Sequence, residues 1–131
     1  MDAGGGATDL IIERRVRNRL IEYFELASSF TAQREYEAAA PAVHIPHEVI
    51  EQWDDWTHHL DLVLLSSTVY STEEKASIWR FRSVWEATVA ALPDDYSSLS
   101  DTQAMPQWEV LRREAASALQ VFSKRGRMSE E

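Results

Sequence analysis

Cysteine is absent from this chain of 131 residues. Its absence excludes a disulfide scaffold, thiolate metal sites and thiol nucleophiles. Glycine is nearly as scarce, because none of the four glycines lies between residues 7 and 125. Phosphate-binding loops, dinucleotide fingerprints and nucleophile elbows need glycine where the backbone approaches a ligand or turns sharply. The sequence therefore excludes these three motifs.

Long apolar runs are missing as well. The longest such stretch, residues 60–70, is interrupted by Asp61 and by three hydroxyl residues, and it has about half the length that spans a bilayer. The first nine residues have neither the basic start nor the apolar centre of a signal peptide. We therefore expect a cytoplasmic protein that does not associate with membranes.

Apolar residues make up 44% of the chain and include five tryptophans, which is enough for a hydrophobic core at this length. Near the N-terminus they recur at spacings of three and four, the period of one helix face. This stripe consists of Ile12, Val16, Leu20, Phe24, Ala27 and Phe30. It predicts a helix over residues 9–40 with a break near Ser28 and Ser29, because serine competes for backbone hydrogen bonds.

Three further main helices follow from local signals. Pro46 suits the first turn of a helix whose apolar face carries Val49 or Ile50, Trp53, Trp56 and Leu60. Residues 61–70 fit a strand or a helix equally, and we interpret them as a buried connector.

A capping box at residues 71–74 predicts the start of the next helix. The last helix should begin near Pro106 and be capped by Gly126. The pattern predicts an all-α fold, an irregular bundle of about four main helices. We expect a flexible leader over residues 1–8, one helical domain over 9–125 and a flexible tail over 126–131.

The net charge of −9 lies in one segment. Acidic and basic residues balance in residues 1–34 and in residues 75–131, whereas residues 35–74 contain nine acids and no lysine or arginine. The acids are Glu35, Glu37, Glu48, Glu51, Asp54, Asp55, Asp61, Glu73 and Glu74. Such a segment is either a solvated acidic face with ion pairs to arginines elsewhere in the fold, or a docking surface for a basic protein.

The docking hypothesis centres on residues 47–61. Its charge would come from Glu48, Glu51, Asp54 and Asp55. Trp53 or Trp56 would serve as the anchor if it is exposed, because tryptophan is frequent among residues that dominate binding energy. If both side chains are buried, they belong to the core instead.

A metal-dependent enzyme is the alternative hypothesis for the same helix. His47 and Glu51 lie four residues apart, as do Asp54 and His58, so each pair shares a helix face. Histidine and carboxylate together suit Zn, Mn or Fe. The candidate ligands are His47, Glu51 and His58, but the sequence has no His-Glu-x-x-His pattern and no matching motif on a second helix to complete a site. We therefore expect neither a metal site nor another cofactor.

A cluster of arginines lies on the first predicted helix, at Arg14, Arg15, Arg17 and Arg19. Nucleic-acid binding needs a basic face, whereas the isoelectric point of this chain is about 4.9. We expect the cluster to pair with the acidic segment instead. Pairing between two chains would make the protein a structural or regulatory homo-oligomer, for example a homodimer.

In size, acidity and lack of motifs the chain is similar to small bacterial immunity and antitoxin proteins. This similarity implies a non-enzymatic inhibitor whose acidic segment masks a basic site on a toxin. The sequence thus leads to a protein-binding module as the first hypothesis, with the metal enzyme and the homo-oligomer as alternatives.

Overall fold

The computed structural model describes residues 3–58 and 60–131. They form seven α-helices and contain no strand. The helices are α1 (Ala3–Ala27), α2 (Phe30–Ala39), α3 (Ile45–Thr57), α4 (Leu60–Leu64), α5 (Thr72–Ala91), α6 (Leu99–Gln103) and α7 (Pro106–Ser123). The all-α prediction is confirmed, and α4 and α6 are single turns between the longer helices.

The predicted break in the first helix is confirmed. α1 ends at Ala27, and the Ser29 hydroxyl accepts a hydrogen bond of 3.0 Å from the backbone N–H of Ala32 at the start of α2. Serine at this position supplies an acceptor for a free N–H of the new helix. At the other end, residues 3–8 of the expected leader are helical, while residues 1 and 2 lie outside the described residues.

The predicted connector over residues 61–70 divides into two parts. α4 takes up its first turn, and residues 65–70 are irregular. Val69 and Tyr70 are buried at the end of this irregular part, whereas Leu65 is 85% exposed. The prediction of a buried connector is therefore confirmed only in part, because Leu64 and Ser67 are also buried while Ser66 and Thr68 are exposed.

The capping box opens α5 as predicted. The Ser71 hydroxyl accepts from the backbone N–H of Glu74, and the Glu74 carboxylate accepts from the backbone N–H of Ser71, both at 3.1 Å. At the C-terminal end of α7, Gly126 has a φ of 71° and donates to the Phe122 carbonyl at 2.9 Å. Both helix boundaries that the sequence marked most clearly are confirmed.

An aromatic cluster holds the four longest helices that pack together, α1, α3, α5 and α7. Its rings are at most 2% exposed, and neighbouring centroids lie 4.7 to 6.0 Å apart. The rings belong to Tyr23, Phe24, Trp53, Phe81 and Phe122. Tilted and edge-on arrangements of this kind stabilise beyond the burial of apolar area.

A buried ion pair links α1 to α5. Arg17 is fully buried and donates to both carboxylate oxygens of Glu74, at 3.1 and 2.8 Å. Arg125, which follows α7, donates to the same carboxylate from a more exposed position. Glu74 is therefore held by two guanidinium groups as well as by its own capping box.

Residues 126–131 lie against α1. The Asn18 amide donates to the Met128 carbonyl and to the Glu130 carboxylate, each at 2.8 Å, and its carbonyl accepts from the Met128 N–H at 2.9 Å. Arg17 also donates to the Gly126 carbonyl at 2.6 Å. The segment expected as a flexible tail thus has specific partners on α1.

Candidate docking surface

The two tryptophans of α3 have different environments. Trp53 is 2% exposed, and its ring packs against Tyr23 and Phe24 of α1 and against Phe81 of α5. Trp56, one turn further, is 38% exposed. Trp53 is therefore a core residue and cannot serve as the anchor of a docking surface, which leaves Trp56 in that role.

A first groove of about 450 Å³ lies on one side of Trp56, between α1, α2 and α3. It is lined by Arg19, Glu22, Tyr23, Leu26, Tyr36, Glu48, Gln52, Asp55 and Trp56. Its charged side chains are three carboxylates and one guanidinium. Arg19 already has two carboxylates within ion-pair distance, Glu130 at 2.5 Å and Glu22 at 3.5 Å. The first groove therefore combines aromatic walls with an acidic rim.

A second groove of about 310 Å³ lies on the other side of Trp56, between α1, α3 and the α4 region. It is lined by Ile12, Glu13, Val16, Asp55, Trp56, His58, Leu60, Val63 and Tyr70. Most of these side chains are apolar. Asp55 and Trp56 line both grooves, so the two grooves adjoin at these residues, and together we call them the Trp56 surface.

The second groove corrects the prediction for the start of the first helix. Ile12 belongs to the apolar stripe that the sequence assigned to the core, yet it is 50% exposed, and Val16 is half-buried. The stripe is buried at Leu20, Phe24 and Ala27, where Trp53 of α3 packs on α1, and Phe30 at its end is half-buried. Its first turns instead form one wall of the second groove.

Each groove contains a buried tyrosine without a hydrogen-bond partner among the described residues. The hydroxyls are those of Tyr23 in the first groove and Tyr70 in the second, in side chains 1% and 4% exposed. Burial raises the pKa of both phenols; for Tyr70, Arg17 opposes the rise while Glu13 and Glu74 add to it. Both hydroxyls are therefore neutral groups that can donate or accept a hydrogen bond.

The four acidic residues predicted for docking lie on α3, and two of them, Glu48 and Asp55, line the grooves. Glu48 accepts from Gln52 at 3.0 Å, and Glu51 lies 3.8 Å from His47. Asp54 and Asp55 are exposed. Within residues 3–58 and 60–131, none of the four acids of α3 forms an ion pair with lysine or arginine. Glu51, Asp54 and Asp55 face solvent, and Glu48 is half-buried.

The end of the acidic segment behaves differently. Glu73 pairs with Lys124 at 2.6 Å, and Glu74 pairs with Arg17 and Arg125. The two contacts of Glu74 confirm the expected pairing between the acidic segment and arginines elsewhere in the chain. Apart from Asp61, whose side chain lies outside the described residues, the acids of the segment without a lysine or arginine partner are therefore those of α2 and α3.

The candidate metal ligands do not come together. His47 and Glu51 form one exposed pair, and the His47 ring packs edge-on against Tyr96 at 5.2 Å. His58 is exposed at the C-terminal end of α3 and lines the second groove instead. Among the described residues no three histidine or carboxylate side chains are placed to hold a metal ion, so the geometry gives the metal hypothesis no support.

The arginine cluster of α1 is largely engaged within the chain. Arg17 is buried against Glu74, while Arg15 and Arg19 both contact Glu130. Of these three, Arg17 pairs with the acidic segment as expected, whereas the expectation is wrong for Arg15 and Arg19, because Glu130 lies outside residues 35–74. The contacts reduce the basic surface that the homo-oligomer hypothesis assigned to this helix.

The α1 side of the Trp56 surface was missed by sequence reasoning. The sequence predicts Ile12 to be part of an apolar helix face and Tyr70 to be part of the connector, and it indicates no role for Glu13. The one signal for the groove is that the apolar stripe of α1 extends beyond the part that α3 covers. Recognising this signal requires knowing where α3 crosses α1, which the sequence does not give. His59, inside the predicted segment 47–61, lies outside the described residues.

Comparisons with protein-family models, with curated proteins and with solved structures found no match. Within the part of the chain that the structure describes, no helix has the length and apolar character needed to cross a membrane.

Proposed function

We propose that this chain is a non-enzymatic protein-binding module whose Trp56 surface docks on a basic partner. The observation that carries the proposal is an exposed tryptophan between two grooves on a helix whose carboxylates face solvent. The exposed tryptophan supports an anchor residue in the interface. The solvent-facing carboxylates support a partner of positive charge.

The unpaired acidic residues of α3 support a basic partner. Glu73 and Glu74 are neutralised inside the chain, whereas Asp54 and Asp55 remain exposed on α3. A one-signed patch raises the rate of association with an oppositely charged surface and disfavours partners of the same sign. The acidic face of α3 is thus suited to select a basic protein.

Trp56 supports an anchored contact rather than a purely electrostatic one. Its ring is 38% exposed and borders a groove on each side. Tryptophans that become fully covered in an interface commonly dominate its binding energy. A partner that covers Trp56 would also fill the adjacent grooves.

The partner class that we propose is a toxin or another basic protein with a nucleic-acid cleft, which the acidic face would mask. The protein would then act as an immunity-type inhibitor in the cytoplasm. This finer proposal rests on the acidity of the surface and on the similarity in size and charge to such inhibitors.

The test is affinity capture from a lysate of the source organism at low salt, with mass spectrometry. The bait is either the wild-type chain or the double variant Asp54→Lys, Asp55→Lys. The matched control is Glu35→Lys, Glu37→Lys, which changes the net charge equally at exposed positions of α2. Any captured protein is then purified and its affinity for all three chains is measured.

We expect one stoichiometric basic partner that binds the wild type and the α2 variant but not the α3 variant. Binding that survives the reversal at Asp54 and Asp55 would reject the proposal, as would equal losses for both double variants. The control separates a local docking surface from the effect of overall charge.

Two alternatives stay predictions with tests of their own. A metal enzyme predicts stoichiometric bound Zn or Mn and stability that falls when a chelator is added. A homo-oligomer predicts a sedimentation coefficient that rises with concentration and falls with salt.

A further inference from the structure

We propose that the second groove of the Trp56 surface binds an alkyl cation, namely a lysine or arginine side chain of the basic partner. The inference rests on the proposed function and specifies which chemical group enters the site. Three features of the groove carry it: its charge, its walls and its unpartnered hydroxyl.

The acidic and basic side chains that line this groove are two carboxylates and His58. Glu13 and Asp55 line it, and no lysine or arginine does so among the described residues. Glu13 accepts a hydrogen bond from the Ser67 hydroxyl, which holds the carboxylate in place without neutralising it. Two carboxylates at one opening favour a cation over an anion or a neutral group.

The walls fit the hydrocarbon part of a basic side chain. Ile12, Val16 and Val63 supply aliphatic surface, and Trp56 supplies an exposed aromatic face. Lysine and arginine bury their methylene stems on apolar surfaces while their charged ends stay near water. A cation over an indole ring gains further attraction from the ring quadrupole.

Tyr70 provides the third feature. It lines the same groove, is 4% exposed, and its hydroxyl has no hydrogen-bond partner among the described residues. A buried polar group without a partner costs free energy that a ligand can recover. The phenol oxygen is itself buried in this structure, so an ammonium or guanidinium group has to penetrate the groove to donate a hydrogen bond to it.

The volume agrees with one side chain rather than a larger ligand. At about 310 Å³ the groove is at the lower end of the range for small-molecule sites. A partner would therefore insert a single basic residue here while the rest of its surface covers Trp56 and the acidic face of α3.

The direct test uses a small probe and needs no partner. Hexylammonium is titrated into the full-length protein, and ¹H–¹⁵N correlation spectra follow the Trp56 indole N–H, identified by its loss in Trp56→Phe. The neutral control is 1-hexanol, which has the same chain length. We expect saturable shifts of the Trp56 signal with hexylammonium, and about tenfold weaker binding of hexanol because ion pairing and cation–π attraction are lost.

Matched variants locate the site. Glu13→Gln with Asp55→Asn removes the two groove carboxylates, and glutamine keeps the acceptor for Ser67. Glu35→Gln with Glu37→Gln removes the same charge from α2. We expect the first pair to weaken hexylammonium binding about tenfold and the second pair to leave it unchanged. The indole signal of Trp79, which is exposed on α5, should not shift.

Equal affinities for hexylammonium and hexanol, equal effects of the two variant pairs, or no saturable shift up to 20 mM probe would each overturn the inference. These results are distinguishable from a failure of the proposed function. If hexylammonium binds but no charge-dependent partner is captured, the docking function alone is refuted. If a charge-dependent partner is captured but hexylammonium does not bind, the groove inference alone is refuted.

Discussion

Glu74 illustrates how one side chain can serve both a helix end and the core. It closes the capping box of α5 and accepts hydrogen bonds from Arg17 and Arg125 while only 1% exposed. Burial alone would raise the pKa of its carboxyl, but the hydrogen bonds from the two guanidinium groups and from the Ser71 N–H outweigh burial and lower the pKa to about 2.

The lowered pKa makes stability depend on pH in a defined direction. The unfolded chain takes up a proton near pH 4.5, whereas folded Glu74 stays ionised down to about pH 2. Its contribution is therefore complete above pH 4.5 and is lost as the pH falls from 4.5 to 2, by about 3 kcal/mol in total. Urea denaturation at a series of pH values measures this slope.

Glu74→Gln should remove that slope and lower the free energy of unfolding by about 3–5 kcal/mol at pH 7, because Arg17 is left buried without a carboxylate. Glu37→Gln, at an exposed position of α2, is the control and should keep the wild-type slope. A Glu74→Gln protein as stable as the wild type at pH 7 would contradict this account of the ion pair.

The two tryptophans of α3 give a second prediction at this scale. Trp53→Ala should lower the free energy of unfolding by about 3–5 kcal/mol, because it leaves a cavity in the aromatic cluster. Trp56→Ala should cost less than about 1 kcal/mol, since its ring is partly exposed. Chemical denaturation of both variants decides the matter, and similar losses would show that Trp56 is a core residue after all.

Helix ends were the elements that sequence reasoning placed best. Ser29, Ser71 and Gly126 act through local hydrogen bonds or backbone conformation, so their effect can be predicted from neighbouring residues alone. The exposure of Ile12 and Trp56 could not be predicted in this way. It depends on where α3 crosses α1, and periodicity identifies an apolar face without saying how far its cover extends.

Gly126 provides a prediction about the end of α7. Its φ is 71°, and a Cβ at this position would have no atom within 4 Å. A substitution therefore costs only the free energy of holding a residue with a side chain in the left-handed conformation. Gly126→Ala should lower the free energy of unfolding by about 1–2 kcal/mol, and Gly126→Asn by less, because asparagine tolerates this conformation better. Thermal or urea denaturation measures both, and a stabilised alanine variant would refute the assigned geometry.

The contacts between α1 and residues 126–131 give a further prediction. The Met128 amide donates to Asn18, so its hydrogen exchange should be slowed in the wild type. Asn18→Ala should raise that exchange rate about tenfold or more, because the amide loses its acceptor. Exchange of Met128 at the rate of an unstructured peptide in the wild type would support the flexible tail expected from sequence.

For the whole molecule, the position of the net charge along the chain could be predicted from sequence. Which of the acidic residues are neutralised within the fold could not. The segment 35–74 carries the entire net charge, yet the fold neutralises Glu73 and Glu74 and leaves Asp54 and Asp55 in solvent. This partition depends on which helices bring Arg17, Lys124 and Arg125 near α5, and those contacts span more than fifty residues.

Trp56 and Trp79 allow the central claim to be tested with an internal control. Both are exposed, at 38% and 42%, but Trp79 lies on α5 beneath the Arg82 guanidinium and lines neither groove of the Trp56 surface. Replacing each with alanine removes a comparable aromatic surface from different faces of the protein. Any difference between the variants therefore reports position rather than loss of an aromatic ring.

The measurement is the affinity of the purified partner for wild type, Trp56→Ala and Trp79→Ala by calorimetry. The account predicts at least about 30-fold weaker binding for Trp56→Ala, the loss typical of an interface anchor, and no change for Trp79→Ala. Unchanged binding of Trp56→Ala, or a larger loss for Trp79→Ala, would contradict it and would place the docking surface elsewhere on the protein.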